Sequence, residues 1–382
     1  MRYTTAGESH GRALVAIVSD VPAGVLLSST AIDVELSRRQ QGYGRGARMD
    51  IERDTATVLS GVRFGRTIGS PVALMIENRD WANWSAAMAV TGDGTGVAPV
   101  TAPRPGHADL SGYQKTAASD VRDVLERASA RETAARVAAG AVARALLESF
   151  GVIVRSWVER IGAVSTGPLG PAEVDAEAVE ASDVRCADAD ASVQMREAID
   201  AARKQGESLG GVFTVCAEGV VPGLGGYADA PSRLGGRLAA AVMSVPAIRG
   251  VELGDGFATA ARVGSDVHDE IVRAPNGRLT RSTNRAGGIE GGMTNGEAVV
   301  LRAAMKPIPT LMRPLSTVDL ATGEVADAAR ERSDVCAVPA AAVIGEAEVA
   351  LVLADAYQEM FGRACVGDMR VAVAAYRARI GW

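Results

Sequence analysis

Two short loops carry the side chains best suited to moving a proton. One is Gly7-Glu-Ser-His-Gly11; the other is Arg104-Pro-Gly-His-Ala-Asp109. Each sets a histidine among small or turn-forming residues, where a ligand can reach the ring without steric cover. Histidine changes charge near neutral pH, so two loop histidines suit general acid–base work. Asp109 can orient the ring of His107. The bland reading of either loop alone is a hydrogen-bonded turn histidine. The chain has only three histidines, and His268, in Asp266-Val-His-Asp269, reads as a surface residue. No nucleophile elbow is expected at Ser9.

Arginine supplies the second kind of chemistry. Only three of the 40 basic residues are lysine (Lys115, Lys204 and Lys306), so 37 are arginine. Coding bias accounts for most of that excess. A need for planar forks that grip phosphate or carboxylate accounts for the arginines that cluster. Four of them (Arg38, Arg39, Arg45 and Arg48) fall in one glycine-interleaved stretch, which can fold around an anion. Arg127 and Arg131 are four apart and share a face if their helix is continuous, with Ser129 between them. Lys306-Pro-Ile-Pro-Thr310 is a rigid turn after a strand, and Arg332-Ser-Asp-Val-Cys336 is a sixth candidate segment.

Several classes are disfavoured. No phosphate-binding Gly-x-x-x-x-Gly-Lys-Ser/Thr loop is present. The absence of His-x-x-x-His and acidic calcium loops gives no reason to expect a metal. Net charge −6 argues against a nucleic-acid binder. No apolar run reaches membrane-spanning length, the N-terminus is unlike a signal peptide, and four dispersed cysteines suggest a reducing, cytoplasmic setting. A nicotinamide oxidoreductase would need the dinucleotide fingerprint. Gly42-x-Gly-x-x-Ala47 follows a helix, and Gly223-x-Gly-x-x-Ala228 has its later acids, Glu252 and Asp255, beyond the expected spacing of about 20 residues. The other rival is a module that binds phosphorylated ligands or nucleic acid through the Arg-Gly loop.

These residues need a scaffold to converge. The patterns predict strands at 13–19, 56–63, 71–77, 152–164, 211–221 and 297–305. Helices are predicted from Thr30, opened by a Thr30–Asp33 capping box, to about Gln41, and over 118–149, 191–205, 233–244 and 339–361. Residues 78–106 read as a long irregular loop, a candidate lid. Helices and strands do not alternate regularly, which disfavours a doubly wound parallel sheet. Residues 1–382 read as a single domain.

Taken in order, these segments resemble the chorismate synthase family. Gly7–Arg12, Gly42–Asp54 and Arg104–Asp109 carry the resemblance, and Arg127–Thr133 and Gly287–Gly296 support it. The resemblance implies an α+β fold, a β-α-β sandwich of long helices between antiparallel sheets, assembled as a homotetramer. It implies anti-1,4-elimination of phosphate from 5-enolpyruvylshikimate 3-phosphate to give chorismate, using reduced FMN without net redox change. It also implies residue roles: His10 would protonate the departing phosphate, His107 would act near the flavin, and Asp334 would relay a proton. Ser9, Arg39, Arg45, Arg48, Arg104, Ser129, Arg131 and Arg332 would surround the substrate. Arg127, Ala128, Ser129, Pro246, Ala247, Gly291, Lys306, Pro307, Ile308, Pro309, Thr310 and Arg332 would contact the flavin. Arg39 and Arg45 match positions linked with NADP in some members; NADPH or a separate flavin reductase would supply reducing equivalents. The sequence departs from the family pattern at Pro309, often Ser, at Pro246, often polar, and at Ser333, His in some members.

Overall fold

The structure is a computed structural model that describes residues 1–46, 52–329 and 333–382. Two antiparallel sheets enclose a layer of helices. The first sheet comprises β1 (Arg2–Ala6), β2 (Ala13–Ser19), β3 (Thr57–Ser60) and β4 (Val72–Glu77), in the order β1-β2-β4-β3. The second comprises β5 (Ile153–Ile161), β6 (Val164–Ser165), β7 (Gly211–Glu218), β8 (Ile248–Leu253) and β9 (Val299–Met305), in the order β8-β9-β7-β5-β6. Alternation decides which face is covered: Leu14, Ala16 and Val18 on β2 and Val72, Leu74 and Ile76 on β4 are all buried.

The principal helices are α1 (Ser29–Gln40), α2 (Thr133–Glu148), α3 (Ala189–Gln205), α4 (Leu234–Met243), α5 (Val338–Phe361) and α6 (Val366–Ile380). α2 packs on β2 and β4, while α5 packs on β5 and β7, and the two helices pack on each other. Both are apolar around most of their circumference because each has a sheet on one side and a helix on the other. At their crossing, a Cβ on Gly140 would overlap Ala347. Gly140→Ala is expected to cost about 1–3 kcal/mol through overpacking, read as a lower midpoint in urea unfolding. An unchanged midpoint would mean the helices can separate without loss.

Two sequence expectations need correction, and some elements were not anticipated. The predicted helix over 118–149 is broken: Arg122–Leu125 is one short helix, Ala130–Glu132 a single 3₁₀ turn, and only then does α2 begin. Ser129 stands in extended conformation and accepts from the Arg131 N–H, which interrupts the helical ladder. α1 is capped by Ser28, whose side chain accepts from the Ala31 N–H; Asp33 instead accepts from the Ala56 N–H. β1 and α6 were not anticipated. β1 is short and polar, with its pattern read only by pairing to β2, and α6 keeps just Val366, Met369 and Val373 buried. No helix among the described residues is long and apolar enough to cross a membrane.

Candidate active site

The His10 loop joins β1 to β2. Gly7 has φ +103°, and a Cβ there would overlap the Ala13 carbonyl oxygen, so only glycine closes this turn. Gly7–Gly11 matches Gly-x-Ser-x-Gly in letters. It links two antiparallel strands, though, not a strand to a helix, and Ser9 is buried, so it is not a nucleophile elbow. The Ser9 N–H donates to the Glu126 carbonyl at 2.9 Å, and the Ser129 hydroxyl donates to Ser9 Oγ at 3.1 Å. The break before α2 is thereby pinned to the His10 loop.

His10 is held on two sides. Its Nδ1 lies 2.9 Å from Glu126 Oε1, and its backbone N–H donates to Glu126 Oε2 at 2.8 Å. Its ring stacks on Trp84 with centroids 3.8 Å apart and planes at 22°. Burial would lift the Glu126 carboxyl, but the His10 ring, the His10 N–H and Arg122 outweigh it and hold it below the usual carboxylate range.

An arginine cluster forms at the end of α1. Ile32, Leu36 and Arg39 share the buried face at helical spacing, so Arg39 is carried inward with the apolar stripe. Its Nε donates to Thr133 Oγ1 and its Nη2 to the Ala130 carbonyl, both at 3.0 Å. Arg131, also buried, donates to Asn78 Oδ1 at 2.9 Å and to Asp54 Oδ2 at 2.6 Å. Asn78 in turn donates to the Gly11 carbonyl at 2.7 Å, which joins this cluster to the His10 loop. Gln40 holds Glu52 and Asp54 in place by bonds at 2.8 and 3.0 Å. Asp334 accepts from the Gly46 N–H at 2.7 Å and lies 3.4 Å from Arg45 Nε.

That cluster has spare donors. Among the described residues, Arg39 Nη1 and Arg131 Nη2 are buried without a hydrogen bond; each faces a carboxylate only at 3.7 Å, Asp54 and Glu52 respectively. Burial depresses the Arg39 pKa; Asp54 opposes this, and Arg45 and Arg131 deepen it. Guanidinium remains charged at neutral pH, so an anion reaching this cluster would offset the cost of its burial.

His107 belongs to a second cluster. Its Nδ1 donates to Asp109 Oδ1, and Arg104 donates to both Asp109 oxygens and to Thr310 Oγ1 at 3.0 Å, with its Nη2 lying 3.2 Å from His107 Nδ1. Arg104, expected beside the substrate, thus spends its donors clamping the His107 loop. Burial would lift the Asp109 carboxyl, yet His107 and Arg104 hold it well below the usual range. Lys306 Nζ donates to the Gly106 carbonyl, so the Lys306–Thr310 turn and the His107 loop are fastened together. Pro307 to Pro309 lie within that turn, and the Ile308 carbonyl accepts from Ser208 at 2.7 Å.

The remaining candidates divide. Arg127 does not share a face with Arg131, because the helix is broken; its guanidinium donates to the Thr5 and Gly7 carbonyls, each at 2.9 Å. Arg127 and Ala128 line a cavity of about 390 Å³ with Gly112, Thr116, Ala118 and Val124. Ala247 follows Pro246 at φ +68°, a strained position for alanine, and its carbonyl accepts from the Lys306 N–H at 2.9 Å. Gly291 turns a small hairpin that docks on the start of α4, where the Leu234 N–H donates to the Gly292 carbonyl. Arg48 and Arg332 lie outside the described residues. His268 is exposed, as expected. The nicotinamide candidate at Gly223 fails on topology: β7 pairs antiparallel with both neighbours, so no parallel βαβ unit follows it. Glu126, Trp84, Glu52 and Asp54 were missed as site residues. Glu52 and Asp54 fall within the Gly42–Asp54 stretch but have no chemical signature that singles them out, and neither Glu126 nor Trp84 carries a sequence signal of its own.

Comparison with known proteins fits this arrangement. The family model described as Chorismate synthase matches residues 1–358. The chorismate synthase of Rubrobacter xylanophilus is 57% identical over 379 residues, covering 99% of this chain and 97% of that one. That of Mycobacterium avium is 53% identical over 390 residues, covering 100% and 97%. A crystal structure of a chorismate synthase superposes with a TM-score of 0.81 at 41% identity, covering 99% of this chain and 98% of that one. With the match running almost end to end in sequence and in fold, the chain belongs to the chorismate synthase family, which makes it a lyase.

Proposed function

We propose that this chain carries out the anti-1,4-elimination of phosphate from 5-enolpyruvylshikimate 3-phosphate, giving chorismate, with reduced FMN and no net redox change. The observation that supports the reading is the buried pair Arg39 and Arg131, each of which keeps a guanidinium nitrogen without a hydrogen bond among the described residues, with Arg131 joined through Asn78 to the His10 loop. A substrate with one phosphate and two carboxylates satisfies such donors, and planar forks match oxyanion geometry. In this reading Arg39, Arg45 and Arg131 neutralise charge on the substrate, with Arg48 and Arg332 assigned the same task by family resemblance. Ser9 and Ser129 order the wall beside them. His10 gives its proton to the departing phosphate, which lowers the cost of releasing a highly charged group. His107, held by Asp109 and Arg104, works at the flavin, and Asp334, beside Arg45, relays the ring proton.

The residues present fit a flavin. The cavity beside Arg127 and Ala128 has apolar walls at Val124 and Ala118. A Cβ on Gly291 would meet nothing within 4 Å, so the backbone there is open to a close-lying group. Arg127, Ala128, Ser129, Pro246, Ala247, Gly291 and Lys306 through Thr310 would hold it. When bound, reduced FMN supplies the electron density that lets an allylic C–O bond break without net oxidation. A homotetramer in the cytoplasm, reduced either with NADPH bound at Arg39 and Arg45 or by a separate flavin reductase, completes the proposal. The test is anaerobic mixing with reduced FMN and the enolpyruvyl substrate, following phosphate release and chorismate together. Equimolar appearance of both is expected; no turnover under reducing conditions would overturn the reading.

A further inference from the structure

We propose that Glu126 is the positioning residue of His10, fixing the imidazole in the tautomer and orientation from which it acts; this rests on the reading of His10 as the acid for the leaving phosphate. Glu126 is buried, and one carboxylate grips His10 twice, at ring Nδ1 (2.9 Å) and at the backbone N–H (2.8 Å). A carboxylate can only accept, so the ring nitrogen facing it must carry a proton. Proton exchange with a ligand then runs through Nε2. Which ring nitrogen is protonated is set by the bond the other makes, and here that bond is charge-assisted.

Three further contacts make the grip rigid. The Glu126 carbonyl accepts from the Ser9 N–H at 2.9 Å, so backbone and side chain of Glu126 hold consecutive residues of the loop. Trp84 covers one face of the imidazole, and its own indole N–H is anchored on Asp80 Oδ2 at 3.0 Å. Arg122 lies over the Trp84 ring at 5.5 Å and within 3.6 Å of Glu126. The ring can therefore neither flip nor swing without breaking its bond to Glu126. His107 has the same design, a carboxylate on Nδ1 braced by an arginine. Both histidines are thus oriented by a carboxylate, His10 by one 116 residues away and His107 by one in its own loop.

The test compares Glu126→Leu and Glu126→Gln with the wild-type holoenzyme. Leucine fills the buried volume and accepts nothing; glutamine keeps one acceptor oxygen but loses the charge, and its amide N–H₂ replaces the other carboxylate oxygen. With only three histidines in the chain, magic-angle-spinning ¹⁵N NMR resolves the ring nitrogens, and His10→Gln assigns them. Nδ1 of His10 is expected to be protonated in the wild type, with the neutral ring of Glu126→Leu reverting to mixed tautomers. Anaerobic kcat is expected to fall about 10²-fold in Glu126→Leu and less in Glu126→Gln, with KM changed less than about threefold. Unchanged ring nitrogens in both variants, with or without a drop in kcat, would overturn the proposal. If Glu126→Leu fails to fold, Glu126→Gln carries the same comparison. Should the wild type itself fail to release phosphate, the functional reading falls, while the ring nitrogens still decide whether Glu126 positions His10.

Discussion

His10→Ala is expected to slow phosphate release at saturating substrate by about 10²–10⁴-fold, the usual worth of a positioned general acid. The leaving phosphate departs with charge that a proton must offset, and among the described residues of the His10 loop only this imidazole can supply one near neutral pH. In the proposed reading Arg39 and Arg131 would neutralise charge, but a guanidinium does not give up a proton. KM should move little, since the donors left unpartnered for an anion belong to those arginines. Removing the ring also strips a partner from buried Glu126, so circular dichroism and a melting curve must accompany the rate. His107→Ala is expected to show a loss of similar size through its place beside the Lys306–Thr310 turn. Wild-type rates in both variants would refute the proton-transfer roles.

The second large effect concerns stability. Glu346 on α5 is wholly buried and accepts from Arg38 at 2.8 and 2.9 Å, from Arg144 at 2.7 Å and from the Ser156 hydroxyl at 2.6 Å, with Arg185 at 3.4 Å. It therefore ties α1, α2 and β5 to α5. Glu346→Gln removes the charge that compensates these guanidiniums and is expected to cost about 3–5 kcal/mol, read by urea unfolding at pH 7. Arg38 and Arg185 keep Glu180 and Arg38 keeps Glu35, which argues for the lower part of that range.

The same residue gives a pH signature. Burial would lift the Glu346 carboxyl, but Arg38, Arg144 and Arg185 outweigh burial and hold it below its ordinary value. A carboxylate whose folded pKa is depressed contributes stability above its unfolded pKa, about 4.3. That contribution is lost as pH falls through the folded value. The gap between wild type and Glu346→Gln should accordingly be widest near pH 7 and shrink below about pH 4. A gap that stays constant with pH would show that shape, not charge, is what the hub supplies. Arg38 neighbours Arg39 on α1, so the hub also fixes the helix from which Arg39 reaches the site.

How far the sequence reaches can be argued from particular residues. The strands at 13–19, 71–77 and 297–305 were legible because each is a short apolar run, a local signal, as was α5, whose apolar run is long. The 118–149 segment misled because its alanine, leucine, glutamate and arginine favour helix at every position. The break at 126–130 exists because Ser9, Thr5 and Gly7, some 120 residues earlier in the chain, offer partners that a helix would forgo. Arg104 and Arg131 look alike in sequence; both bind a carboxylate, but Arg131 also keeps one nitrogen without a hydrogen bond among the described residues.

By itself, then, the sequence determined the histidine pair, the arginine-rich loops, the family and most of the element types. Each is carried by residue type and short-range spacing. Tertiary structure alone decided which arginines keep donors for a ligand, that Glu126 and Trp84 grip His10, and that Glu346 binds three helices and a strand together through its arginine partners. Those facts depend on contacts between residues tens to hundreds of positions apart. Whether a buried polar atom finds a partner is settled only when the chain has closed around it.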